Sequence, residues 1–180
     1  GLTTIIVSSI ATSEAERQSF AAAEALAASS AYELKAELEL TMASARALAQ
    51  SFEGLKDRNQ PDRLLFGTML QNVLEKNKAF VAAWTCWEPD ALDGRDSRFR
   101  NAPGSDASGR FVPLWLRDGD LIDLQALAEY DTPGAGDYYQ LAKRSGTESV
   151  VPPFAMTLGD RKIDVVALAV PMRHGGAVVG

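Results

Sequence analysis

Cysteine and histidine are almost absent from this chain of 180 residues, where Cys86 and His174 each stand alone. A single cysteine excludes an internal disulfide framework and a multi-cysteine zinc site. A single histidine removes most Ser-His, Cys-His and multi-histidine metal arrangements. Basic charge is also in the minority, with 18 Lys and Arg against 24 Asp and Glu for a formal net charge of −6. That balance opposes an extended phosphate-binding surface, so nucleic acid is not an expected partner. No run of roughly 20 apolar residues is present to span a membrane. Gly134-Ala135-Gly136 lacks the third glycine of a nucleotide-binding fingerprint and reads as a turn. No acid pair is marked as a general acid and base, and no nucleophile motif occurs. The expectation is a protein that is not an enzyme, with no catalytic residue, metal or cofactor.

Proline is missing too before Pro61, and that absence leaves room for a long helix. From Leu34 the apolar residues Leu34, Leu38, Met42, Ala45, Leu48, Phe52 and Leu55 advance in steps of three and four, one helical stripe. Alanine-rich sequence precedes it, and Ser13-Glu14-Ala15-Glu16 fits a capping box inside that stretch. The pattern predicts one helix from about residue 12 to 56, at ~1.5 Å per residue roughly 65 Å long. Such a length exceeds what a domain of this size covers, so part of it is expected to pair with a second chain or to continue into a membrane. The apolar start, Gly1 to Ala11, reads as the outer end of a membrane helix. Pro61 is placed to open a second helix carrying Leu64, Leu65, Met69, Val73 and Leu74, with Asn77 closing it.

After Ala79 the texture turns to short β-branched and aromatic runs bounded by Gly, Pro and Asp. Strands are predicted at Phe80–Trp87, Arg110–Arg117, Val150–Leu158, Ile163–Met172 and Ala177–Gly180, with hairpin turns at Arg117-Asp-Gly-Asp120 and Leu158-Gly-Asp-Arg161. Tyr138–Arg144 is a candidate short helix. The fold class is α+β, a long N-terminal helix followed by a mainly antiparallel sheet.

Acids at Glu88, Asp90, Asp93 and Asp96 do not follow calcium-loop spacing, and Arg95, Arg98 and Arg100 lie among them, so an internally paired loop is expected. His174, beside Gly175 and Gly176, reads as a solvated turn histidine. The candidate ligand-binding residues are Trp84, Trp87, Glu88, Trp115, Tyr130, Asp131, Asp137, Tyr138 and Tyr139. Aromatics on strands belong by default to a core. Here they stand beside carboxylates, and aromatic faces with a carboxylate suit a small cation.

The runs Phe80-Val-Ala-Ala-Trp84-Thr-Cys-Trp87-Glu88-Pro89-Asp90, Gly109-Arg-Phe-Val-Pro113-Leu-Trp115 and Tyr130-Asp-Thr-Pro133-Gly-Ala-Gly-Asp137-Tyr138-Tyr139 resemble the double Cache (dCache) sensor domains of methyl-accepting chemotaxis proteins and related receptors. The resemblance implies a periplasmic domain of an inner-membrane receptor. Residues 1–57 would be the long helix, its N-terminal end emerging from a membrane span, and 58–180 the membrane-distal PAS-like module. The membrane-proximal module would be absent from the chain. It also implies a small-molecule ligand and membrane attachment through flanking segments, and the alanines before Leu34, which allow close approach of a second helix, predict a homodimer through the long helix. Amino-acid-binding members carry a Tyr and then an Arg-x-Trp-Tyr group that grips a carboxylate. Tyr130, Tyr138 and Tyr139 are similar, but Gly136 stands where the Arg would fall. An amine or polyamine is therefore the favoured ligand class, with a small carboxylate as the alternative. The alternatives are a ligand-free structural or dimerisation module, or the sensor of a histidine kinase or diguanylate cyclase.

Overall fold

The computed structural model describes the backbone of residues 2–180 and the side chains of residues 17–180. The side chains of the apolar run at residues 1–11, read above as the end of a membrane helix, lie outside the described residues. Helix α1 runs without a break from Leu2 to Asp57, continuing through the capping-box residues. Among the described residues no helix is long and apolar enough to cross a membrane. The chain divides into two units, residues 1–41 and 42–180, with the division inside α1. The first is the N-terminal part of that helix, where Leu34 is exposed. The second contains everything else, and the predicted stripe is buried only from Met42 onward.

In the second unit α1 presents Ala49 and Phe52 to the core, with Leu48 and Leu55 at its margin. Helix α2 spans Arg63–Lys76, and Asp62 is its N-cap, its carboxylate accepting from the Leu65 N–H at 2.9 Å. Pro61 thus precedes the cap instead of opening the helix, because an Asp side chain can satisfy an orphan N–H and a proline ring cannot. Every fourth residue, Phe66, Leu70 and Leu74, is buried. Phe66 lies 4.3 Å from Phe52 and 5.9 Å from Trp87, ring centroid to ring centroid. Full burial of such side chains contributes about 1.5–3 kcal/mol each.

Strands β1 (Ala82–Trp84), β2 (Pro113–Asp118) and β3 (Leu121–Ala126) form an antiparallel sheet in that order. Strand β3 is a departure from the sequence reading: Leu-Ile-Asp-Leu-Gln-Ala has a single β-branched residue, and the Asp118-Gly119-Asp120 turn supplies the pairing that its propensity does not. Helix α3 spans Asp137–Ser145 and ends on Gly146 in the left-handed conformation. It contacts both strands of a separate hairpin, β4 (Ser149–Leu158) and β5 (Arg161–Ala169). The strand expected to reach Met172 stops at Ala169, before Pro171, and a two-residue ladder of β6 (Arg173–His174) with β7 (Ala177–Val178) follows. His174 is exposed there, its Nδ1 2.7 Å from the Asp57 carboxylate at the end of α1.

The long segment between β1 and β2 is ordered by an arginine that the sequence reading did not single out. Arg63, at the start of α2, donates two hydrogen bonds of 2.8 Å to Asp93 and one of 2.5 Å to Asp96, and its guanidinium stacks 4.1 Å above Phe99. Asp93 and Asp96 therefore take their side-chain ion pairs from a distant helix, while Asp93 also accepts from the Arg95 backbone N–H at 3.1 Å.

Candidate ligand-binding site

Pairing between β1 and β2 continues beyond the regular ladder: Thr85 N–H bonds the Pro113 carbonyl at 3.2 Å and Trp87 N–H the Phe111 carbonyl at 3.1 Å. Because side chains alternate along extended chain, this register sorts the sequence into two faces. Ala83 and Trp87 on one strand and Phe111 and Trp115 on the other pack into the helix-side core. Trp84 and Cys86, with Val112 and Leu114, pack on the opposite side beneath α3. Glu88 and Arg110 extend that second face, their side chains 2.8 Å apart.

The nine predicted residues are consequently divided. Trp87 is fully buried against Phe66, and Trp115 packs into the same core. Neither lies on the Trp84 side of the sheet, and the physical reason is the strand parity just described. The other seven, Trp84, Glu88, Tyr130, Asp131, Asp137, Tyr138 and Tyr139, lie on the α3 side of the sheet. Trp84 meets Tyr138 edge to face at 5.4 Å, and Tyr130 meets Tyr139 in the same way at 6.4 Å.

At the centre of this side stands Arg110, buried at 4% exposure and absent from the sequence-based set. Its guanidinium donates to the Trp87 carbonyl, to Glu88, to the Tyr139 hydroxyl at 3.1 Å and to Asp131 at 3.2 Å. It also lies 4.6 Å from the Tyr130 ring centroid. Lys143, one turn after Tyr139 on α3, places its ammonium 2.9 Å from the second Glu88 oxygen and 5.6 Å from the Tyr139 ring centroid. Arg110 comes opposite Glu88 only through the register of the two strands, which no local pattern reports. The i,i+4 spacing from Tyr139 was the signal for Lys143.

The electrostatics follow from these contacts. Burial pushes the Glu88 carboxyl upward, but the Tyr139 hydroxyl, Lys143 and Arg110 hold it below its ordinary value. Burial and the bond from Tyr139 to Glu88 drive the Tyr139 phenol well above the usual range. Tyr130, desolvated and donating to Asp106, is raised in the same way. Burial pushes the Cys86 thiol up to about 12, so it behaves as a small apolar side chain beside Arg110.

An open concavity of about 170 Å³ borders this arrangement, lined by Gly134, Ala135, Asp137, Tyr138, Val151 and Phe154. It is smaller than the roughly 300–1,000 Å³ of drug-sized pockets. Val151 and Phe154 were not foreseen, because they come from the β4–β5 hairpin. Gly136 closes the turn before α3 so tightly that a Cβ there would lie 2.6 Å from the carbonyl oxygens of Glu129 and Tyr130. An arginine cannot occupy that position in this backbone. Among the described residues no group of three or more His, Cys, Asp or Glu is placed to hold a metal ion.

No family model matches the chain. Over 123 residues, 62% of its length, it is 28% identical to the methyl-accepting chemotaxis protein TlpQ of Pseudomonas aeruginosa, of which it covers 17%. Among solved structures it is similar to the extracellular domains of two proposed histidine kinases. For mmHK1S-Z2 the TM-score is 0.72 at 30% identity, covering 82% of this chain and 52% of that one. For mmHK1S-Z3 it is 0.72 at 28% identity, covering 82% and 51%. The chain thus spans about half the length of these extracellular domains. Its long helix and antiparallel sheets are shared with them.

Proposed function

We propose that this chain is the extracytoplasmic sensing domain of a bacterial transmembrane receptor and that its ligand is a small amine or polyamine. The carrying observation is that the tyrosine faces and carboxylates of the α3 side already hold two cations, Arg110 and Lys143. A surface that positions a guanidinium over Tyr130 and an ammonium beside Glu88 and Tyr139 has the chemistry an alkylammonium requires. Asp137 and Tyr138 at the open concavity, with Trp84 edge-on to Tyr138 behind it, extend the same chemistry toward solvent. Gly136 supports the choice of an amine over an amino acid, since its turn leaves no room for a carboxylate-gripping arginine.

The receptor would lie in the inner membrane with this domain in the periplasm, as a double Cache module working through α1. Similarity to both a chemotaxis protein and histidine-kinase extracellular domains leaves a chemoreceptor as the first output and a kinase as the second. A thermal-shift screen of the chain against amines, amino acids and small organic acids tests the reading. A ligand present at 100 times its Kd stabilises the fold by about 2.7 kcal/mol. Amines are expected to raise the melting temperature and acetate and succinate to leave it unchanged. A best ligand that is an anion would refute the amine assignment while leaving the sensor assignment standing.

A second copy is the proposed protein partner. In the helical unit Phe20, Leu26, Leu34 and Leu40 are more than half exposed. At 100° per residue these four fall within one half of the helix circumference, with the exposed Tyr32 outside it.

A further inference from the structure

We infer that Lys143 is a built-in competitor for the ligand: its side chain occupies the ammonium position beside Glu88 and Tyr139, and an incoming amine displaces it. The inference rests on the amine reading above and adds to it how the site is regulated. Lys143 ends in a primary ammonium on four methylenes, which is chemically an alkylamine tied to α3. Its nitrogen has what an amine ligand would seek, a carboxylate oxygen at 2.9 Å and an aromatic face at 5.6 Å.

The two cations of the site differ in whether they can leave. Arg110 has a side chain only 5% exposed and is fixed to the Trp87 carbonyl, Glu88, Asp131 and Tyr139. Its removal would strand buried acceptors. The Lys143 side chain is 32% exposed, its hydrogen-bonded partner is Glu88, and its flexible stem reaches water by rotation. Lys143 is therefore the exchangeable cation. A short tether holds such a group at an effective concentration on the order of millimolar, so a free amine must outcompete it.

Displacement also has somewhere to go. Lys143 lies in the last turn of α3, and the segment that follows is tied to α1. The Gly146 carbonyl accepts from the Arg173 guanidinium at 2.7 Å, the Arg173 N–H donates to Glu53, and Glu148 pairs with Arg46. Releasing Lys143 from Glu88 loosens the end of α3 that these bonds connect to the long helix.

Calorimetry with 1,4-diaminobutane on the wild-type chain, K143M and K143R tests this, alongside thermal melts of each. If Lys143 fills the site nine-tenths of the time, its removal tightens apparent binding by about tenfold. K143M should therefore bind about tenfold tighter while melting at a lower temperature, since Glu88 loses a partner. A purely structural lysine would move both in the unfavourable direction. K143R, which keeps a tethered cation, should bind like the wild type. Equal or weaker binding by K143M, or K143R binding as tightly as K143M, overturns the inference with the amine reading intact. Absence of heat from all three proteins overturns the amine reading as well. K143Q is read by the same criteria if K143M does not fold.

Discussion

Arg63 and its two carboxylates, Asp93 and Asp96, have side chains at most 10% exposed. Removing the cation would leave both acids buried and uncompensated, a loss of about 3–5 kcal/mol. Arg63→Met is expected to lower the unfolding free energy measured by denaturant titration by that amount, whereas Glu148→Gln, which breaks the exposed pair with Arg46, should change it by less than about 1 kcal/mol. Glu88 supplies a pH signature. Its carboxyl titrates lower in the folded chain than in the unfolded one, so on acidification the unfolded state takes up the proton first. The stabilisation is complete above about pH 4.5 and is lost as the pH falls through the lowered folded value. Melting temperatures followed from about pH 6 down to about pH 3 should accordingly fall less steeply for Glu88→Gln than for the wild type. A parallel fall in both proteins would show that Glu88 is not a source of the acid sensitivity.

The turn into α3 and the loop before β2 each depend on one glycine. Gly109 has φ +92, and a Cβ there would overlap the Asp96 carbonyl. Gly109→Ala is expected to prevent the loop from closing on Arg63, read as a lower melting temperature and loss of protection at Asp96 in hydrogen exchange. Gly136 is limited by space and not by φ, which is −88. Gly136→Arg should destabilise the α3 turn and should not create binding of amino-acid carboxylates, measured by calorimetry with glycine. Carboxylate binding by a folded Gly136→Arg protein would mean that the turn can open, and that this position decides ligand class by residue identity alone. Helix α3 itself follows local rules, with Asp137 in its first turn, Lys143 and Arg144 in its last, and a left-handed glycine after it.

For the whole molecule, the helical unit predicts self-association. Leu26→Glu places a charge among Phe20, Leu34 and Leu40 and should shift a concentration-dependent dimer toward monomer in sedimentation. A strict monomer at high micromolar wild-type concentration would refute that partner. The sequence by itself determined the parts whose rules are local: the long proline-free helix, the two hairpin turns at Gly119 and Gly159, α3, and the α+β class. It also placed Glu88, Tyr130, Tyr138 and Tyr139 among the candidate residues. The tertiary structure alone decided which of those share a side of the sheet. Trp87 and Trp115 have the same composition signal as Trp84, and only the register of β1 with β2 sends them to the opposite face. Arg63 and Arg110 were hidden for a related reason. An arginine becomes structural when its acids come from 30 or 22 residues away, and no local pattern reports a pairing made by the folding of the intervening chain. Gly136 is the clearest instance, because its neighbours in sequence mark a turn, while the carbonyl groups that bar a side chain are brought together only when that turn closes.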